Sequence, residues 1–291
     1  MTARWNSECI SCMMGKYLSD FPQEASEQDR LAYMNRVMSI LSSARPEEGA
    51  PVITDYILEL QKEMFGKETD YTEIKQTFNQ LMLEQEDRIR SDIRRAPDPI
   101  RRAIQYVMTG NYIDFGTLSD VNSEKLLELL SGADRQEIDE EILRRLNTDL
   151  QSAKRLVYLT DNCGEIVLDK LLIQAIQSQF PHLDVTIIVR GRQALNDATM
   201  EDAVQVGLPA IASVTGNGSG ITGTYLPKIS VEAARIIYGA DVLISKGQGN
   251  FETLRGCGLN IYYIFLCKCR LFTRRFQKNL FEGILTNESY C

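Results

Sequence analysis

Histidine is almost missing: His182 is the only one in 291 residues. Ser-His-Asp and Cys-His catalysis and histidine-rich zinc sites all need imidazole. His182 follows Pro181 in a polar helix-to-strand connection, the setting of a solvated loop residue. Chemistry therefore falls to carboxylates, amides, lysines and thiols. No stretch approaches the roughly 18 to 20 apolar residues that span a bilayer, and the polar first residues, with Glu8 among them, do not resemble a signal peptide. The expectation is a soluble cytoplasmic protein with no membrane partner. A basic patch is lacking too. The net charge is −8 and the longest basic cluster is Arg274-Arg275 with its neighbours, which excludes broad binding to a nucleic-acid backbone. Seven cysteines, an odd number without a secretory signal, favour reduced thiols over a disulfide framework. There is no internal repeat, and nothing signals an oligomeric state.

What is present is a long chain with 44% hydrophobic residues, enough for a sizeable core. From Tyr17 to Leu150 the apolar residues recur at helical spacing: Leu31, Met34, Met38 and Leu41 in one stripe, Val52, Tyr56, Leu60 and Met64 in another, then Ile74, Phe78 and Leu81, then Ile100, Ile104, Val107 and Met108. Arg45-Pro46, Gly66, Pro97-Asp98-Pro99 and Gly110-Asn111 punctuate them. After Lys154 short β-branched runs alternate with helical stretches. Strands are expected at 155–160, 185–189, 211–214, 241–245 and 260–266, and helices at 164–179, 198–206, 230–238 and after the last strand. That alternation predicts an α/β fold: a helical domain over 1–150 packed on a Rossmann-like, mostly parallel, doubly wound sheet over 151–291.

Ligands of such sheets bind beyond the carboxyl ends of the strands. Two acidic-amide pairs fall there, Asp161-Asn162 after the first strand and Asn196-Asp197 after the second. Each pair alone reads equally as a helix cap. Side by side on neighbouring strands about 5 Å apart, they supply oxygen ligands to one hard divalent ion. A third strand end carries Ser245-Lys246-Gly247-Gln248-Gly249-Asn250, where glycines let backbone N–H groups approach a phosphate and Lys246 adds a cation. Gly216 to Gly223 contains the G-x-G-x-x-G spacing, but no helix follows at once and the preceding strand is not the first of the sheet, so the segment reads as a flexible rim loop rather than a dinucleotide turn. Cys9-Ile10-Ser11-Cys12 is a C-x-x-C without a partner of like spacing. Cys163 lies beside the proposed ligands, where adjacent carboxylates raise a thiol pKa.

Taken in order, Cys9-x-x-Cys12, Gly110-Asn111-Tyr112-Ile113-Asp114-Phe115-Gly116, Thr160-Asp161-Asn162-Cys163-Gly164-Glu165, Leu195-Asn196-Asp197-Ala198-Thr199, Ser245 to Leu254 and Lys268-Cys269 resemble the damage-control phosphatase family, formerly domain of unknown function 89. The resemblance covers nearly the whole chain and points to the prokaryotic branch with an N-terminal C-x-x-C. It implies a divalent metal ion (Mn, Mg, Co or Ni) on Asp161, Asn162 and Asp197, and hydrolysis of small phosphorylated metabolites such as sugar phosphates. On this reading Asp161, Glu165 and Lys246 are catalytic, with Glu165 orienting or deprotonating water. Asn111, Asn196, Gly247, Gln248 and Asn250 meet the substrate, Asp114 is a further candidate from the helical part, and Cys9, Cys12 and Cys269 form a thiol or second metal site. Two rival readings remain: a methyltransferase or dehydrogenase binding a nucleotide cofactor, and a non-catalytic metal- or thiol-sensing module.

Overall fold

Along Arg155–Leu159 (β1) Leu156 and Tyr158 enter one apolar core while Val157 and Leu159 enter another, as the two-residue period of a strand requires. The same division holds for the rest of the sheet in this computed structural model, which describes residues 6–18, 20, 22, 24–66, 69–113 and 122–291. The other strands are Asp184–Val189 (β2), Ser213–Gly216 (β3), Val242–Lys246 (β4), Ile261–Leu266 (β5) and Gly283–Asn287 (β6). Their order is β3-β2-β1-β4-β5-β6, parallel except for β6. The expected strands and the mostly parallel sheet are present. The helix expected after β5 is present at Arg270–Phe276, and the antiparallel β6 follows it as an addition. Only Ile284 and Leu285 of its five residues have apolar side chains, and they are reached through Phe281, which sits in the left-handed region at φ 64°.

Two compact units divide the chain, Met1–Asp70 and Tyr71–Cys291. In the first, Ser7–Leu18 (α1), Glu27–Ser43 (α2) and Ala50–Phe65 (α3) enclose a core of Met13, Tyr17, Tyr33, Val37, Ile53 and Ile57. Ser26 caps α2 by accepting the Asp29 N–H, and Gly66 closes α3 in the left-handed conformation.

The second unit holds the sheet and the remaining helices. The boundary expected near residue 150 falls inside it, because Thr72–Arg95 (α4), Pro99–Gly110 (α5), Ser123–Ser131 (α6) and Glu140–Ser152 (α7) share one continuous core with a face of the sheet. Glu165–Gln179 (α8) lies in that core, buried along most of its length. Met200–Gln205 (α9) adds Ala203 to it. On the opposite face Val231–Tyr238 (α10), Gln248–Leu254 (α11) and Arg270–Phe276 (α12) cover Val157, Leu159, Leu243 and Phe265. Both faces are covered, so near-continuous apolar strands are required. Among the described residues no helix is long and apolar enough to cross a membrane.

Candidate active site

Of the sequence-predicted site residues, Asn111 comes from the end of α5, Cys269 follows β5, and Cys9 and Cys12 lie on α1. Asp161, Asn162, Glu165, Asn196, Asp197 and Lys246 to Asn250 lie at or beyond the carboxyl ends of β1, β2 and β4, and the strand order reverses direction between β1 and β4. This is the switch point at which open α/β sheets take their ligands. Backbone hydrogen bonds join the two acidic-amide pairs: Cys163 N–H donates to Asn196 O at 2.9 Å and Ala198 N–H to Asp161 O at 2.7 Å, and Asn162 and Asp197 form an isolated antiparallel bridge. Leu195 turns the second loop at φ 49°.

One guanidinium spans both carboxylates. Arg190 Nε donates to Asp197 Oδ2 at 2.6 Å and Nη2 reaches Asp161 Oδ1 at 3.5 Å. Its Nη1 donates to Asn250 Oδ1 at 3.3 Å and Thr224 Oγ1 at 3.4 Å. Arg190 is 1% exposed, a fully buried cation that sequence reasoning passed over. Its signal was an arginine closing an otherwise apolar buried strand, since such charge is retained inside only when paired.

Beneath Asp161 lies a second buried group. Lys246 continues the register of Val242 and Ile244, so its side chain points to the α8 face rather than into the mouth of the site. There its Nζ is 2.8 Å from Glu165 Oε1 and 3.1 Å from Asp169 Oδ1, acids one turn apart on α8, and Tyr158 Oη donates to Asp169 Oδ1 at 2.7 Å. Burial alone would lower the lysine, but the Asp169 and Glu165 carboxylates outweigh it and hold Lys246 above its ordinary value. Burial pushes Asp169 up to about 6 against the pull of Lys246. Asp169 and Tyr158 were not foreseen. Two acids at i and i+4 enclosing the apolar run Ile166-Val167-Leu168 at the start of the helix would have revealed the first.

The amides expected to face substrate have protein partners. Asn111 Nδ2 donates to Asp161 Oδ2 at 2.9 Å and Glu165 Oε2 at 2.8 Å, while its Oδ1 accepts the Leu266 N–H. Asn196 Nδ2 donates to Ile113 O at 3.2 Å. Asn250 Nδ2 donates to Thr160 O and Lys246 O, and its Oδ1 accepts from Arg190 and Thr224. Gln248 Nε2 donates to Glu252 Oε1 at 3.0 Å and reaches Cys269 Sγ at 3.8 Å. Gly247 lies directly against Asp161, because a Cβ there would meet its Oδ2 at 1.9 Å. Asp114 lies outside the described residues.

The loop from Gly216 to Gly223 is a packed wall, contrary to the expectation of a flexible rim. Asn217, Ser219 and Ile221 are buried, Asn217 N–H donates to Val189 O, and Gly191 N–H donates to Ser219 O. A Cβ on Gly191 would meet Gly218 N at 2.1 Å, so glycine is what allows the two backbones to touch. This loop follows β3 at the sheet edge, and Leu226–Lys228, a 3₁₀ turn, separates it from α10. Neither feature suits a dinucleotide turn. Of the thiols, Cys9 is half-buried and Cys12 exposed on α1, and burial raises Cys163 and Cys269 above the ordinary thiol value.

The donor set suits a hard cation. Buried Asp161 and Asp197 share Arg190, buried Glu165 and Asp169 share Lys246, and Lys268 lends a further positive charge near Asp161. Burial, then the neighbouring Glu165 and Asp197, push Asp161 well above the usual carboxylate range, with Lys268 and Arg190 opposing them. A further positive charge would offset that cost. Asn162 gives its Nδ2 to Asp161 at 2.8 Å, which leaves the amide oxygen as its ligating atom.

The chain is 30% identical to an uncharacterised protein of Methanocaldococcus jannaschii over 96% of its own length and 93% of the relative's. It is 28% identical to a protein of Pyrococcus horikoshii named damage-control phosphatase, with 93% of both chains covered. The crystal structure of a family member from P. horikoshii superposes with a TM-score of 0.78 at 27% identity, covering 98% of this chain and 99% of that one. The model of the damage-control phosphatase ARMT1-like domain matches residues 5–283, which contain every one of the buried polar groups gathered at the switch point, and the chain belongs to that family.

Proposed function

We propose that this protein is a divalent-metal-dependent phosphatase that hydrolyses small phosphorylated metabolites such as sugar phosphates. The observation that carries the reading is the meeting of Asp161 and Asp197, from two separate loops, on one buried guanidinium. Family membership and the names of the relatives support the reaction class.

In this reading Asp161, Asn162 and Asp197 hold the ion. When bound, it polarises a phosphoryl oxygen and lowers the pKa of a coordinated water. The chain's own residues do the rest. Asn111, donating to Asp161 and Glu165 together, holds the two carboxylates at a fixed spacing. Lys246 acts from below as the counter-charge shared by Glu165 and Asp169 in a dry site. Glu165 accepts from Lys246, Asn111 and Asn162, which favours an orienting role for it over proton abstraction. Gly247, without a side chain, lets the chain pass directly against the Asp161 carboxylate, and Gln248 follows it as a polar contact for substrate. Asp161 engages donors through both oxygens, which favours attack by water over an aspartyl-phosphate. Single-turnover oxygen labelling separates the two routes: solvent label found first in the enzyme carboxylate would refute the direct one.

The test is hydrolysis of p-nitrophenyl phosphate and a sugar-phosphate panel with Mn²⁺, Mg²⁺, Co²⁺ and Ni²⁺, with chelator controls. Activity with metal that chelator removes, and that Asp161→Ala and Asp197→Ala abolish in folded protein, is the expected result. Metal-independent binding of S-adenosylmethionine or NAD by calorimetry, with no hydrolysis, would favour a nucleotide-cofactor enzyme instead.

A further inference from the structure

The buried stripe of α4 is not uniformly apolar. Lys75, Phe78, Asn79, Met82, Glu86, Ile89 and Ile93 face the core at helical spacing, and three of the seven are polar. Two of those three, Lys75 and Asn79, lie one turn apart, and each takes hold of a different ligand-bearing loop. Asn79 Oδ1 accepts the Gly164 N–H at 2.6 Å, two residues beyond Asn162. Lys75 Nζ is 2.6 Å from Asp202 Oδ2 and 3.3 Å from Thr199 Oγ1, two residues beyond Asp197. Asp202 in turn accepts the Thr199 N–H at 2.8 Å, closing the capping box of α9, and Asn79 Nδ2 donates to Asp202 Oδ1 at 2.8 Å. The two halves of the grip are therefore one network, with Lys75 3%, Asn79 0% and Asp202 4% exposed.

We propose that Lys75 and Asn79 are positioning residues: a single turn of α4 fixes the separation of the Asp161-Asn162 loop from the Asp197 loop and so sets the affinity for the divalent cation. The inference rests on the metal reading given above. Its physical basis is that ligand loops are short and carry their own conformational freedom, and preorganising them removes an ordering cost from binding. Apolar residues would fill the same stripe. They would leave the Gly164 N–H and the Thr199 cap to set their own positions.

Three variants decide the matter. Asn79→Ala releases the first loop and keeps the ion pair. Lys75→Met with Asp202→Leu releases the second without leaving a buried charge alone. Lys170→Met with Glu86→Leu removes another buried pair of α4, made with α8: Lys170 Nζ is 2.6 Å from Glu86 Oε1 and donates to Val206 O at the far end of α9, away from both ligand-bearing loops. Chelated protein is checked for cooperative thermal unfolding and titrated with Mn²⁺ alone, free ion being read by its paramagnetic resonance. Turnover of p-nitrophenyl phosphate is then measured at saturating Mn²⁺. Both loop variants are expected to bind Mn²⁺ roughly tenfold or more weakly, as outer partners of metal ligands do, with KM at saturating metal unchanged and the Lys170–Glu86 control at parent affinity. Parent-like Mn²⁺ affinity in a folded loop variant, or an equal loss in the control, overturns the proposal. Should the paired Lys75–Asp202 variant not unfold cooperatively, Asn79→Ala decides alone. A parent chain that binds no Mn²⁺, or an Asp161→Ala variant that binds it as well as the parent does, removes the site reading and the clamp together.

Discussion

Replacing Gly247 by alanine tests the site with one carbon atom. Gly247 sits at φ 82° and ψ 156°, a backbone region essentially reserved for glycine, where another residue costs about 1–3 kcal/mol. The added Cβ would lie 1.9 Å from Asp161 Oδ2 and 2.1 Å from its Cγ. Carbon and oxygen do not approach within about 3 Å, so the carboxylate must retreat by about 1 Å or the turn must open. The retreat is resisted, because Asn111 and Asn162 both donate to the same oxygen. A displacement of about 1 Å in a reacting group costs on the order of a hundredfold in rate. Gly247→Ala is therefore expected to lose kcat for p-nitrophenyl phosphate by that order at saturating Mn²⁺, while the chelated protein still unfolds cooperatively. Turnover within about threefold of the parent would mean that Asp161 does not need its present position, and would refute the argument.

Other perturbations read other parts of the molecule. Lys246→Met leaves Glu165 and Asp169 without their shared cation and should lower stability by about 3–5 kcal/mol in urea unfolding. Adding Asp169→Asn should recover part of that loss, and no recovery would show that Glu165 alone needs the lysine. Asp92 is raised by burial but lowered further by Arg102 and Tyr106, so its carboxyl lies below the ordinary value. The stability it contributes is present above the unfolded pKa and is lost as pH falls through the lower folded one. Asp92 is 44% exposed and solvent screens it, so Asp92→Asn should cost under about 1 kcal/mol near pH 7, with the two proteins converging in acid. A difference that persists below pH 2 would contradict the assignment. Cys12 is exposed, so a thiol reagent should label it in the folded protein, whereas Cys163, buried with a raised pKa, should react only on unfolding. Fast labelling of Cys163 would count against the burial described.

Much of the architecture was legible because periodicity is local. The strand at β1 and the helix at α8 follow from apolar spacing within a dozen residues, and the acidic-amide pairs were visible as polar punctuation at strand ends. β6 was not, since only Ile284 and Leu285 of its residues are apolar and Thr286 and Asn287 read as polar although they are buried at the sheet edge. That the helices from Thr72 onward join the unit of the sheet was hidden for a related reason. A helix's apolar stripe says that it packs, not what it packs on, and those of α4 to α7 pack on the core shared with the sheet.

The site divides along the same line. Sequence alone determined which residue types could do the chemistry, by leaving one histidine in 291 residues and placing Asp161, Asn162 and Asp197 past strand ends. Tertiary structure alone decided what each polar group faces. Lys246 is turned beneath the site by strand register, Arg190 is buried where two loops converge, and Asn79 reaches Gly164 across 85 residues of chain. Side-chain direction and partner choice depend on strand order and on which faces are buried. Those are properties of the assembled core, and no window of sequence contains them.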